Sequence, residues 1–198
     1  MNYLAHAFLS FQEQGILTGN MISDFVKGKR QYDYPHHIQK GIQLHRYIDT
    51  FTDCHAATAK AKSFFRKDYR LYSGAFVDVV YDHFLACDAL QYIKYDGLEN
   101  FTISVYASLE KDFEFFPAGF QRIFPYMKTQ NWLYNYRLRD GIRRGFEGLA
   151  YRAAYLNESA VAYELFNQHY DELKTCYEAF FPEVKKFAVS SLSNLLPD

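Results

Sequence analysis

The sequence predicts an all-α fold, a single-domain helical bundle over residues 1–198. Alternating polar and apolar runs that would mark strands are scarce, whereas apolar residues recur at helical spacing. Glycine and proline fall where helices begin and end. Of the 198 residues 49% are hydrophobic, with 19 Phe and 18 Tyr, and no linker or low-complexity tract divides them, so one large core is available.

The first helix is expected over residues 2–14, ended by Gly15. Gly19-Asn20 opens a second segment that carries Asp24 and stops near Gly28. Pro35 suits the first turn of a helix running to about residue 55, and Pro117, Pro125 and Pro182 are candidates for the same position in later ones. Residues 73–92 form a strongly apolar helix, preceded by Arg66, Lys67 and Arg70. After Asp96-Gly97, segments are expected near 98–115, 118–135, 137–155, 158–180 and 182–195.

Two of these helices carry chemistry. Six of the seven histidines lie in the first 83 residues, and His45 stands four residues before Asp49. That spacing sets side chains about 40° apart around a helix and one turn along it, with Cβ atoms about 5–6 Å apart. Ile38, Ile42, His45, Asp49 and Thr52 share a face, which places the histidine and the carboxylate beside apolar residues. An unpaired carboxylate there is costly to desolvate, and a metal ion offsets that cost. On the apolar helix His83 sits mid-stripe, Asp82 about 100° round from it, and Asp78 one turn before Asp82. Imidazole nitrogens and carboxylate oxygens form the ligand set of Mn, Fe, Zn or Mg. The alternatives are plain. Asp82-His83 serves equally as a buried hydrogen-bonded pair, His6 as a packed core histidine, and Asp24 as a helix-end carboxylate. Asp53 and His55 suit a helix-end cap, His36-His37 a solvated turn and His169 the surface.

Net charge is −1, but residues 1–75 carry 10 Lys+Arg against 6 Asp+Glu, and the remainder 12 against 17. The basic half holds most of the candidate site, which favours an anionic substrate or acidic partner. The excess is too small for general nucleic-acid binding. Cys54, Cys87 and Cys176 are scattered and odd in number, which argues against a disulfide framework. The start has no basic stretch before Lys27, and no run approaches the roughly 18 apolar residues of a membrane span. A cytoplasmic protein is expected. There is no GxGxxG, GxxxxGK[ST], GxSxG or HExxH motif.

Met1 to His6, Gly19-Asn20 with Asp24 to Gly28, Gly41 to Asp49, Phe51 to His55 and Val77 to Ala86 follow, in order, the pattern of a known family. Together they resemble acyl carrier protein phosphodiesterase, a divergent branch of the HD-type metal phosphohydrolases. The weaker segment Met127 to Arg152 is similar as well. The resemblance implies an HD-like helical fold and removal of the 4′-phosphopantetheine arm from holo-acyl carrier protein. It implies a divalent metal, manganese first, with magnesium or iron as alternatives. It places His45, Asp49, Asp82 and His83 on the ion together with His6 or Asp24, and gives catalytic or orienting roles to Asp24 and Asp78, or to Asp53. Lys27, Arg46 and Arg70 would neutralise the diester, and the basic band with Arg66 suits a strongly acidic carrier. Asp82-His83 reverses the order usual in HD enzymes. Two other readings stand beside this one: an HD-like phosphohydrolase of a small nucleotide or other diester, and a non-catalytic module that binds the carrier. The oligomeric state is open.

Overall fold

The computed structural model describes residues 1–152 and 158–196, and these residues contain helices and turns but no strand. The α-helices are α1 (Tyr3–Phe8), α2 (Gln14–Ile22), α3 (His36–Cys54), α4 (Ala56–Tyr69), α5 (Ser73–Cys87), α6 (Leu98–Lys111), α7 (Ala118–Thr129), α8 (Trp132–Asn135), α9 (Arg139–Arg152), α10 (Ala160–Gln168) and α11 (Tyr170–Leu195). One hydrophobic core runs through all of them. The all-α expectation holds, and no described helix is long and apolar enough to cross a membrane.

At the centre lies α5, on which Phe76, Val77, Val79 to Ala86 and Ser73 are buried. It packs against α1, α4, α9 and α11. Its nearly all-round apolarity is why the sequence marked it as central. Helix α3 packs on α2, α4 and α11, burying Ile38, Ile42, Leu44, His45 and Ile48.

Several boundaries differ from expectation. The first helix stops at Phe8, because Phe11 and Gln12 take left-handed backbone (φ 51° and 65°). Gly15 and Gly19-Asn20 then lie inside α2 rather than at helix ends. Both glycines are there for closeness: a Cβ on Gly19 would stand 2.1 Å from the Ile38 carbonyl oxygen of α3, and one on Gly41 would stand 2.4 Å from that of Ile16. Two helix backbones cross almost in contact, which only glycine permits. Asp24 follows in a short 3-10 turn, Ser23–Phe25.

Residues 56–69 form α4, an Ala- and Lys-rich run capped by the His55 ring, which accepts a hydrogen bond from the Ala57 amide at 3.2 Å. The apolar helix ends at Cys87 and continues as a 3-10 stretch, Ala89–Tyr95. Pro125 and Pro182 lie inside α7 and α11 rather than at their starts. The last break falls at His169 instead of residue 181. The end of the segment expected over 137–155 lies outside the described residues.

Candidate metal centre

Three elements bring the site together. Helix α1 supplies His6, α3 supplies His45 and Asp49, and the turn after α2 supplies Asp24. The His6 and His45 rings stack, with centroids 3.8 Å apart and planes 12° from parallel. Asp49 bridges them: Oδ2 lies 3.0 Å from His45 Nε2 and Oδ1 lies 3.2 Å from His6 Nε2. Asp24 Oδ1 approaches His45 Nε2 at 3.3 Å from the solvent side. The α-ammonium of Met1 is 3.3 Å from Asp49 and 3.0 Å from Asp78.

The His45 ring is fixed from behind. Its Nδ1 lies 2.8 Å from the Asn20 carbonyl oxygen, so Nδ1–H donates there and Nε2 is left facing the carboxylates. The Asn20 side-chain amide donates to the His6 carbonyl oxygen and to Ser10 Oγ, both at 3.0 Å. One residue therefore ties the two histidine-bearing helices together, and the glycine crossing of α2 and α3 sets its depth. Sequence reasoning noted Gly19-Asn20 as a helix opening and missed this role. The signal was there in the glycines of both segments, Gly15, Gly19 and Gly41.

Electrostatics separate the two imidazoles. Burial, reinforced by the neighbouring His45, pushes His6 down to about 4, so it is neutral at pH 7. Burial opposes charge on His45 as well, but hydrogen bonds with Asp24 and Asp49 outweigh it and push His45 up to about 9. Burial would raise Asp49, yet the Met1 ammonium and both histidines hold it far below the usual carboxylate range. The hydrogen bond with His45 holds Asp24 down too.

The donor set fits a divalent cation. His6 is buried, and both of its ring nitrogens lack an aligned hydrogen-bond partner. A buried polar group without a partner calls for an explanation. Among the described residues, His6, His45 and Asp49 each offer a ligand atom within 4.8 Å of the others. Two imidazole nitrogens with one carboxylate suit a first-row transition ion such as iron, zinc or manganese.

The remaining sequence candidates are placed elsewhere. Asp82 turns to α1, where Oδ2 accepts from the Leu4 amide at 2.7 Å and Oδ1 from Ala5 at 3.1 Å. It caps the helix that carries His6, and burial raises it to about 7 despite those bonds. His83 points another way: Nδ1 lies 2.8 Å from the Tyr136 carbonyl oxygen and Nε2 3.0 Å from the Tyr170 hydroxyl. The 100° between adjacent helical residues turns the two side chains here to different partners. The structure thus brings His6, His45, Asp49 and Asp24 together and gives Asp82 and His83 other partners. Asp78 holds Met1, and burial raises its carboxyl above the ordinary value. Asp53 pairs with Lys62 at 2.6 Å. Arg46 clamps the loop after Asp24, donating to Gln31 Oε1 at 2.6 Å and to the Val26 carbonyl at 3.3 Å. Lys27 is exposed three residues from Asp24, while Arg66 and Arg70 are exposed at the far end of α4.

The family model for acyl carrier protein phosphodiesterase matches residues 1–184. A protein of Yersinia pestis with that name is 32% identical over 188 residues, 95% of this chain and 97% of the relative. One of Klebsiella pneumoniae subsp. pneumoniae is 33% identical over the same shares. One of Photorhabdus laumondii subsp. laumondii is 28% identical over 197 residues and the full length of both. No solved structure matches significantly.

Proposed function

The chain belongs to the acyl carrier protein phosphodiesterase family, and on that premise we propose that it hydrolyses the phosphodiester joining 4′-phosphopantetheine to holo-acyl carrier protein, at a divalent ion held by His6, His45 and Asp49. Membership makes the chain a hydrolase of phosphodiester bonds. The observation that carries the metal reading is the buried His6 ring, stacked on a second imidazole with a carboxylate oxygen 3.2 Å from its Nε2 and no aligned hydrogen bond at either nitrogen.

A divalent ion bound there supplies positive charge for the diester oxygens and acidifies a water. The chain does the rest. His6 is neutral and offers a lone pair without first losing a proton. His45 is aimed through Asn20 and gives up its proton when the site is loaded. Asp24, exposed at the rim, orients the attacking water and receives its proton on Oδ1. Lys27 lies beside that rim and attracts the anionic diester, and Arg46 keeps the intervening loop in place. Asp82 and Asp78 act from behind by seating α1 and Met1. The acidic carrier is the protein partner, drawn to the basic residues of the first half of the chain. Manganese is the first ion to test, with iron and magnesium beside it.

The test is intact mass of holo-acyl carrier protein after incubation with purified protein, with and without manganese. Loss of the phosphopantetheine mass only with metal is the expected result. An unchanged mass with metal bound would remove the carrier as substrate.

A further inference from the structure

A cavity of about 440 Å³ opens between α7, α8 and α9, within the roughly 300–1,000 Å³ usual for small-molecule sites. Its walls include Ile123, Trp132, Tyr136 and Leu138. Its inner end is formed by Asn2 and Tyr3, and Asn2 Nδ2 donates to the Tyr136 hydroxyl at 3.0 Å. Asn2 directly follows Met1, whose ammonium lies 3.3 Å from Asp49. Consecutive Cα atoms are 3.8 Å apart, so one lining residue of the groove directly follows a residue that touches the metal centre.

Charge says what belongs there. The charged residues lining the cavity, Asp140 and Arg144, are ion-paired to each other at 2.8 Å, and Arg143 also pairs with Asp140. Among the described residues that line it, no unpaired cation is offered to a phosphate or nucleotide. What fits is an uncharged chain with aliphatic stretches and a few amide groups, anchored by an anionic end at the metal centre. Asn2, Gln130 and Asn135 bring amide side chains to an otherwise aromatic and aliphatic lining. That matches a pantetheine arm, two amides spaced by methylenes.

We propose that this groove seats the pantetheine arm while its phosphodiester lies at the metal centre, with Trp132, Leu138 and Ile123 as specificity-determining contacts. His83 contributes indirectly, since its bond to the Tyr136 carbonyl oxygen fixes that groove wall. The assignment rests on the phosphodiesterase reading, yet it is testable apart from it.

Trp132 is the chain's single tryptophan, so its fluorescence reports on the groove alone. The experiment titrates the full-length protein with reduced pantetheine, which has no phosphate, and separately measures KM for holo-acyl carrier protein. The variants are Leu138→Arg and Ile123→Arg. Leu138 is already 41% exposed, so that substitution does not threaten the fold. Expected are a saturable fluorescence change in the wild type, its loss in both variants, and a KM raised about tenfold or more, the scale of losing a buried aliphatic contact. In Leu138→Arg, cleavage of the carrier falls at least about tenfold further than hydrolysis of a small aryl phosphodiester. A saturable change with no cleavage of the carrier would keep the groove and sink the carrier reading. Cleavage of the carrier with a silent Trp132 and unchanged KM in Leu138→Arg would overturn the groove. Equal loss of small-diester hydrolysis in that variant would overturn it as well.

Discussion

Stacked at 3.8 Å, His6 and His45 do not both carry a proton at neutral pH. The Asp24 and Asp49 carboxylates assign the proton to His45 and leave His6 neutral. His45 is raised above its ordinary value of 6.5 to about 9, so its contribution to the stability of the metal-free protein is complete below about pH 6.5 and is lost as pH rises to about 9. His6 is depressed to about 4, so its contribution is complete above about pH 6.5 and falls away as pH drops toward 4. Asp82, raised to about 7, loses its contribution over the window in which that of His6 grows, so the two offset below pH 7. The metal-free protein therefore melts progressively lower as pH rises from about 7 to 9, as differential scanning fluorimetry would record, and a profile flat over that range would refute the pairing. Metal binding must displace the His45 proton, so manganese affinity rises about tenfold per pH unit toward pH 9. Asp49→Asn removes the carboxylate that bridges both rings and pairs with Met1, so turnover should fall about 10³-fold and the metal-free protein should melt lower at neutral pH. A metal affinity left unchanged would remove Asp49 from the site. His83→Ala is different in kind. It removes two hydrogen bonds and a ring packed on Phe84, Phe166 and Tyr170, costing about 2–4 kcal/mol by chemical denaturation while leaving manganese affinity within about twofold.

Among the elements, the crossing of α2 and α3 governs the site. Gly19→Ala drives a Cβ to within 2.1 Å of a backbone oxygen, and backbone does not yield as a side chain does. Expected are a loss of about 1–3 kcal/mol in stability and a fall in manganese affinity of about 10–100-fold, because the Asn20 carbonyl moves off His45 Nδ1. Unchanged affinity by calorimetry would free the ring from that support. The helix that was plainest in the sequence is α3, where 35–55 was expected and His36–Cys54 is found. Its His45–Asp49 spacing was legible because both residues sit on one helix. His6 came only through the family resemblance, since its partners lie 39 and 43 positions along the chain and spacing alone does not bring them near. The adjacent pair Asp82-His83 invited a shared role, whereas the fold turns Asp82 to the amides of α1 and His83 to Tyr136 and Tyr170. Helix α4 went unassigned although its Ala- and Lys-rich run favours a helix by propensity alone. The stop at Phe8 depends on two left-handed non-glycine residues, which leave little mark in a sequence.

Across the whole molecule the charge asymmetry of the sequence becomes a surface question. Arg66 and Arg70 are exposed together at the end of α4, the end at which an acidic carrier would dock under the proposed function. Arg66→Glu and Arg70→Glu should each raise KM for holo-acyl carrier protein severalfold at low salt, the difference shrinking as ionic strength approaches 0.5 M. A KM indifferent to both charge and salt would move docking to another face. The site itself is mounted unevenly. One wall, α3, is locked by glycine contacts and by α11 and α4. The other, α1, is only six residues long, packed on α2 and α5 with its first turn held by Asp82 and the preceding Met1 by Asp78. Deuterium exchange should register this difference as two rates, slow amides along α3 and faster ones along α1. The release of a bound ion then has a natural route: the short helix lifts, His6 leaves with it, and Asp49 and His45 remain behind as an open half-site. Residence time of the ion would follow the fraying of α1 rather than the stability of the bundle.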